Sequence, residues 1–204
     1  MKKVFLISLS LVSIILSSCD NEDTTPDSKV SSTYVRNLPA DTVTGFGPMG
    51  QPLGTTDHFT FFRFSDSSIV SLIDSASVKW DLGFRGSTII VNSGTSGPGQ
   101  ASAFIYDGLF SALQEVPNGI VFKVDTASTY AIGKLWSTYN PAAMILSATP
   151  GKVIVIKTAD AKYAKVEILS YYKNSPPNPN ATQDLPRYYT FRYVLQTNGT
   201  KSFE

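Results

Sequence analysis

The chain has 204 residues, of which 42% are hydrophobic and 12% aromatic. This composition can build one sizeable hydrophobic core, and it excludes a disordered protein. The formal net charge is only +1, so the sequence supplies no clustered basic surface. Because binding to a nucleic-acid backbone needs such a surface, we expect no nucleic-acid partner.

The N-terminus has the features of a bacterial lipoprotein leader. Lys2 and Lys3 precede a short apolar run, and the sequence Leu-Ser-Ser-Cys follows at residues 16–19, which matches a lipobox. An apolar run of about 13 residues is shorter than the roughly 20 that a membrane-spanning helix needs. We therefore predict a signal peptide at residues 1–18 and lipidation of Cys19, which would tether the mature chain to the lipid bilayer. Since Cys19 is the only cysteine, we expect neither a disulfide framework nor a thiolate metal site.

Residues 19–32 are polar and acidic and show no apolar periodicity, which predicts a flexible tether. The remaining residues, 33–204, are expected to form a single domain. The acidic cluster after Cys19 resembles an export tag for the outer face of the outer membrane, and a solvated linker explains it equally well. The predicted localisation is the outer membrane, lipid-anchored, with exposure at the cell surface left open.

Short strands are predicted through the first two thirds of the domain. Frequent glycine and proline in residues 33–57 exclude long regular elements there. Aromatic and β-branched runs predict strands at residues 58–64, 77–84, 87–91 and 100–106. Residues 65–74 suit either a short helix or a pair of strands, residues 109–113 suit one helical turn, and residues 130–136 suit another short element.

The clearest pattern lies in the last third of the chain. Residues 152–157 form a short β-branched run after Pro150 and Gly151, which indicates a strand buried on both faces. Residues 163–172 and 188–196 alternate with a period of two, so each is expected to have one dry and one wet face, with Lys165 on the wet face. The long proline- and asparagine-rich stretch at residues 173–187 is predicted to be a surface loop, and a lid or partner-binding role is left open. The predicted fold is all-β, in sandwich-like antiparallel layers with one or two short helical turns.

No catalytic or metal-binding constellation is evident. His58 is the only histidine, which excludes multi-histidine metal sites and bis-histidine haem ligation within one chain. At the start of an aromatic strand, it is expected to be a surface or strand-edge residue. The sequence contains no nucleophile elbow and no phosphate-binding loop, and the spacing of its carboxylates does not suggest acid and base roles. We expect no enzymatic activity.

Several short sequence motifs resemble those of the HmuY family of haem-binding surface lipoproteins. They occur in the expected order across roughly residues 59–196, and at position 161 the family usually has a turn glycine where this chain has Ala161. These motifs are Trp80-Asp81-Leu82-Gly83-Phe84-Arg85-Gly86, the glycine-rich loop at residues 92–99, Trp136-Ser137-Thr138-Tyr139-Asn140-Pro141, and the predicted strands at residues 162–172 and 188–193.

The resemblance implies haem b or a related porphyrin as ligand and a TonB-dependent outer-membrane receptor as partner. Family members hold the iron between two axial side chains, and one of these positions corresponds to Met144. A methionine thioether is a suitable axial ligand. A methionine within the apolar run at residues 142–146 is also a common core residue, so both interpretations of Met144 stay open.

The other axial position is expected within residues 109–118, which contain no histidine, methionine or cysteine. Three explanations remain: five-coordinate haem on Met144 alone, a second ligand from Met49 or His58, or a family member that no longer binds haem. In the last case the protein would be a surface lipoprotein with a structural, adhesive, glycan-binding or protein-binding role. If haem is bound, the candidate pocket walls are Tyr106, Phe110, Trp136 and Tyr139.

Overall fold

The computed structural model of the protein describes residues 31–48 and 51–204. The signal peptide, Cys19, most of the tether and Met49 therefore lie outside the described residues. Every strand pair is antiparallel, and the predicted all-β fold is confirmed. The strands are β1 Thr33–Pro39, β2 Gly45–Phe46, β3 Pro52–Leu53, β4 Thr60–Arg63, β5 Ser68–Val70, β6 Leu82–Arg85, β7 Thr88–Val91, β8 Ser102–Asp107, β9 Ser137–Asn140, β10 Ile145–Ala148, β11 Lys152–Lys157, β12 Tyr163–Tyr172 and β13 Pro186–Gln196.

The main sheet has the strand order β1-β13-β12-β11-β8. Its centre is the predicted group of β11, β12 and β13, and the four middle residues of β11 are buried, as predicted. A second sheet has the order β5-β4-β6-β7, and β2-β3 and β9-β10 form two separate hairpins. The only helical element among the described residues is a 3-10 turn at Leu72–Asp74, directly after β5.

The two larger sheets share one hydrophobic core. Side chains from one face of the main sheet, such as Ile154, Val166 and Phe191, belong to the same buried cluster as Phe62 and Phe84 of the second sheet. Aromatic rings make much of this contact: the Phe62 ring lies edge-on to Phe191, with 5.4 Å between centroids. This face explains the regular apolar alternation along β12 and β13.

The opposite face of the main sheet is also covered, as predicted for β11 but not for β12 and β13. Loop residues after β8 and the C-terminal Phe203 pack onto it and form a second buried cluster. Lys165 on this face is only 6% exposed, and its ammonium group donates hydrogen bonds to the carbonyl oxygens of Phe110 (2.9 Å) and Leu113 (2.7 Å). Burial and the nearby Arg192 lower the pKa of Lys165. The predicted wet face is therefore wrong at Lys165.

Other local predictions have mixed outcomes. Residues 33–57 contain the seven-residue edge strand β1, which pairs with β13 across a bulge between Val35 and Leu38. Residues 65–74 contain one strand, β5, followed by the 3-10 turn, so the segment is neither a helix alone nor a pair of strands. Residues 109–113 form a turn without a helix, and within residues 130–136 Gly133 makes an isolated bridge to Ile89. The proline-rich loop is closed at its base by the hydrogen bond from Lys173 N–H to Leu185 O, 2.9 Å.

Candidate ligand-binding end of the main sheet

Two chain segments that the resemblance connects with a ligand leave the main sheet at the same end. Strand β8 ends at Asp107, and its register partner there is Lys152, the first residue of β11. The stretch at residues 109–118 therefore starts beside the point where the β9-β10 hairpin joins β11. Because β12 also ends here and β13 begins here, we call this edge the ligand end.

The β9-β10 hairpin is fastened to the ligand end at its base. The Thr149 N–H donates to Trp136 O (2.9 Å), and the Gly108 N–H donates to Gly151 O (2.8 Å). The Leu146 N–H donates to the hydroxyl of Tyr172 at the end of β12, 3.2 Å away. These contacts hold the hairpin against the sheet and leave its tip at residues 141–144 in solvent.

Met144 lies at this tip and is 59% exposed. Its backbone has φ of +56°, a conformation that a side-chain-bearing residue seldom adopts. The carboxamide oxygen of Asn140 fixes the turn by accepting hydrogen bonds from the N–H groups of Ala142 (3.0 Å) and Ala143 (3.2 Å). The core interpretation of Met144 is therefore wrong, and its thioether is open to a ligand.

The four predicted pocket-wall residues do not line one pocket. Trp136 is 1% exposed in the shared core, where its indole N–H donates to Ser87 O at 3.0 Å. Phe110 and Tyr106 belong to the cluster on the opposite face of the main sheet. Of the four, only Tyr139, 55% exposed on β9, shares the hairpin with Met144.

The stretch opposite the hairpin contributes apolar groups. Phe110, Leu113 and Val116 are buried, while Leu109 is 67% exposed. The ring of Phe110 lies near two cations, 4.6 Å from the Lys165 ammonium and 4.3 Å from the Arg192 guanidinium. This stretch is therefore packed against side chains of the main sheet, and Leu109 is its exposed apolar residue at the ligand end.

Among the described residues, which exclude Met49, the other candidate ligand His58 does not lie with Met144. His58 lines a different cavity whose lining does not include Met144. Within residues 31–48 and 51–204, no group of three or more His, Cys, Asp or Glu side chains is arranged to hold a metal ion.

A groove of about 200 Å³ lies beside the hairpin, between β10, the end of β12 and the proline-rich loop. Sequence reasoning missed it, because its walls come from three distant segments. The adjacent Tyr171-Tyr172 pair and the clustered prolines were the only local signals. Burial raises the pKa of Tyr171 to about 12 and also raises the pKa of Tyr172, so both stay protonated at neutral pH. The lining includes Leu146, Ala148, Leu169, Tyr172, Pro176 and Pro179.

In the described part of the chain, no helix has the length and apolar character to cross a membrane.

Comparison with known proteins identifies one family. The family model described as "HmuY protein" matches residues 55–193, and curated proteins give no match. Among solved structures, the apo HmuY analogue of Tannerella forsythia is 15% identical, with a TM-score of 0.47 over 83% of this chain and 96% of the other. A candidate lipoprotein of Bacteroides fragilis is 16% identical, with a TM-score of 0.49 over 83% and 90%. A candidate HmuY-like haem-binding protein of Bacteroides vulgatus is 15% identical, with a TM-score of 0.48 over 83% and 93%.

Proposed function

The chain belongs to the HmuY family, and from this premise we propose that it is a non-enzymatic, membrane-tethered protein that binds haem b or a related porphyrin. Haem is its cargo, which it passes to a TonB-dependent receptor in the outer membrane. The tether is lipidated Cys19, which lies outside the described residues. The proposal rests on the family match together with the chemistry displayed at the ligand end.

The exposed thioether of Met144 is the observation that carries this proposal. A methionine on a fixed, solvent-exposed hairpin tip contributes little to the core, so packing does not explain its presence there. Sulfur is a soft ligand that suits haem iron, particularly in the ferrous state. The family places one axial ligand in this part of the chain, and Met144 is the only residue of the tip that can serve.

The surroundings of Met144 fit a flat apolar ligand. The ring of Tyr139 and the side chain of Leu109 are both exposed at the ligand end, and the neighbouring groove is lined by leucine, alanine, proline and tyrosine residues together with two serines. Such surfaces suit the faces and edges of a porphyrin. With no imidazole or thioether in residues 109–118, Met144 is the single axial ligand that the described residues supply.

A haem titration of the soluble form, residues 21–204, tests the proposal. Wild-type protein is expected to shift the Soret band at micromolar haem. Met144→Ala should weaken binding by tenfold or more, equivalent to about 1.4 kcal/mol, and alter the spectrum of the reduced complex. Met144→His should bind more tightly, because imidazole is the stronger iron ligand. Neither change should lower the stability of the apoprotein by more than about 0.5 kcal/mol, because the side chain is exposed.

Val78→Ala is the matched control, since Val78 is 61% exposed and adjoins the turn between β11 and β12 at the opposite end of the main sheet. It should leave haem binding unchanged. Met49→Leu tests the other methionine of the mature chain. Haem binding that survives Met144→Ala but fails in Met49→Leu would transfer the ligand role to Met49.

A non-haem surface lipoprotein with a structural, adhesive, glycan-binding or protein-binding role is the second candidate function. The missing second ligand in residues 109–118 favours it. The same titration separates the two, because a wild-type protein that gives no Soret shift at micromolar haem would exclude the first candidate.

A further inference from the structure

A second cavity, of about 420 Å³, lies away from Met144 beside the 3-10 turn. We call it the His58 cleft, because the only histidine of the chain lines it. One wall comes from the segment after β1 and from the start of β4, and the other from the end of β5 and the 3-10 turn. Its volume falls within the range of small-molecule sites, roughly 300–1,000 Å³.

Asp41 fixes one side of this cleft. The Asp41 carboxylate, whose side chain is 4% exposed, accepts hydrogen bonds from the N–H groups of Thr56 (2.6 Å) and Asp57 (3.2 Å). Asp41 and Asp57 both have positive φ, +57° and +61°. Non-glycine residues keep this conformation when the surrounding contacts fix it, so the cleft is preorganised, which lowers the cost of binding.

The charges around the cleft are paired with one another. Asp41 contacts Arg187 at 3.4 Å, and Asp57 contacts Arg85 at 3.1 Å. The Arg85 guanidinium also lies over the ring of Phe59, 4.5 Å from its centroid. A charged ligand would therefore find no unpaired opposite charge among these acidic and arginine side chains.

Three of the polar side chains that line the cleft have hydrogen-bonding groups available to a ligand. Within the described part of the chain, Thr42, His58 and Thr60 make no side-chain hydrogen bond. By contrast, the Thr56 hydroxyl donates to Asp41 at 3.0 Å, and the Thr44 hydroxyl donates to Leu53 O. Apolar side chains from Ile69 and Leu72 lie on the facing wall.

We propose that the His58 cleft binds a neutral carbohydrate. A sugar presents hydroxyl groups that both donate and accept hydrogen bonds, as the two threonine hydroxyls and the imidazole do. Its C–H faces need apolar contact, which Ile69, Leu72 and Phe59 in the lining supply. Asp41 is the only carboxylate in the lining and is already paired with Arg187, so a cationic ligand would have to displace that ion pair. This site is independent of the haem proposal, since it shares no lining residue with the hairpin.

Proton NMR of the soluble form, residues 21–204, tests the proposal. Because His58 is the only histidine, its imidazole Hε1 signal needs no assignment. Millimolar maltotetraose, laminaritetraose or mannotetraose should shift this signal saturably at constant pH, whereas sodium sulfate should not. The double variant Thr42→Val/Thr60→Val keeps the side-chain shapes and removes two hydrogen bonds to the ligand, so it should weaken binding by tenfold or more.

Thr55→Val is the matched control, because Thr55 is exposed beside the cleft and does not line it. It should change the dissociation constant less than twofold, and the denaturation midpoint of each variant verifies folding. The proposal is overturned if none of the three tetrasaccharides shifts the signal, if sulfate shifts it saturably, or if the folded double variant binds as wild type does. Each result is independent of haem binding, which is read from the Soret band.

Discussion

Ala161 shows how one residue can depart from a family pattern without changing the chain path. It lies in the turn between β11 and β12 and has φ of +63°, where the resemblance predicts glycine. The turn keeps its closing hydrogen bonds, from Thr158 N–H to Lys162 O (2.8 Å) and from Ala161 N–H to Thr158 O (3.0 Å). The backbone of Ala161 therefore keeps a left-handed conformation, which costs roughly 1–2 kcal/mol for a non-glycine residue.

Replacing Ala161 by glycine should stabilise the protein. Relief of the backbone strain exceeds the extra entropy of the unfolded chain, roughly 0.4–1 kcal/mol, so we expect a net gain of about 0.5–1 kcal/mol. Urea denaturation of the soluble form measures it. Ala159→Gly in the same turn is the control: Ala159 is not among the positive-φ residues, so glycine there should destabilise. A loss of stability in Ala161→Gly would show that the turn is not strained.

At the scale of elements, Asp81 joins parts of both large sheets. Its buried carboxylate accepts hydrogen bonds from Phe64 N–H (2.9 Å), just after β4, and from Ala159 N–H (3.0 Å), in the turn after β11. The neighbouring Trp80 ring packs against Phe61 of β4, with 4.5 Å between centroids. The Trp80-Asp81 motif therefore has a structural explanation that needs no ligand.

Asp81→Ala should lower the free energy of unfolding by about 2–4 kcal/mol, because two backbone N–H groups lose their acceptor in a buried site. Asp74→Ala is the comparison. Asp74 makes an ion pair with Lys79 at the surface, and its loss should cost at most about 1 kcal/mol. Equal effects of the two substitutions in urea denaturation would contradict the joining role of Asp81.

Asp81 also gives a pH dependence of defined sign. Burial raises its pKa above the ordinary value of 3.8, so the folded state holds this proton more tightly than the unfolded state does. The stabilising contribution is present below the unfolded pKa and is lost as pH rises through the folded pKa. Compared with Asp81→Asn, which cannot titrate, the wild type should therefore gain stability as the pH falls from neutral towards about 4.

The strands that were predicted well are those whose alternation of buried and exposed side chains can be seen within the strand's own sequence. The buried run of β11 and the alternation of β12 and β13 follow from side-chain period alone. Strand β1 was missed because its pairing with β13 spans the whole domain, and the bulge between Val35 and Leu38 interrupts its period. The β9-β10 hairpin was missed because both strands have only four residues and neither contains a fully buried one.

The site could be predicted only in part, for a related reason. Met144 was predicted as a ligand from its place after the family motif at residues 136–141. Its exposure depends on the β9-β10 hairpin, which no periodic pattern in the sequence indicates. Trp136 and Phe110 were equally plausible as pocket walls, but they pack on opposite faces of the main sheet. The burial of Lys165 depends on loop and C-terminal residues more than thirty positions away, which a window along one strand does not include.

At the scale of the whole molecule, β1 separates the tether from the ligand end. Its first residue, Thr33, pairs with Tyr193 near the end of β13, and its last, Pro39, pairs with Tyr188 near the start. Seven residues of strand span about 20 Å. The first residue of β1 therefore lies at the end of the sheet opposite the Met144 hairpin. With the proposed lipid anchor at Cys19, this arrangement would let the hairpin point away from the bilayer.

This geometry predicts a mean orientation on the membrane. Because Cys19, the proposed lipidation site, is the only native cysteine, a maleimide dye can be placed at Ala143→Cys on the hairpin tip or at Thr197→Cys just after β13. In vesicles that carry a nitroxide on the lipid headgroup, the dye at position 197 should be quenched more strongly than the dye at position 143. For the proposed tether of about 14 residues, a flexible-chain calculation gives a root-mean-square reach of roughly 20 Å, so the expected difference is one of averages.

The same labelled variants without a lipid anchor, residues 21–204, provide the control, and neither dye should be quenched by the vesicles. Stronger quenching at position 143 would mean that the ligand end faces the bilayer, and the receptor would then have to take haem from the membrane side. Equal quenching would mean that the tether imposes no preference. Only the predicted order supports presentation of haem away from the lipid surface, because the thioether of Met144 is exposed at the end of the sheet farther from the anchor.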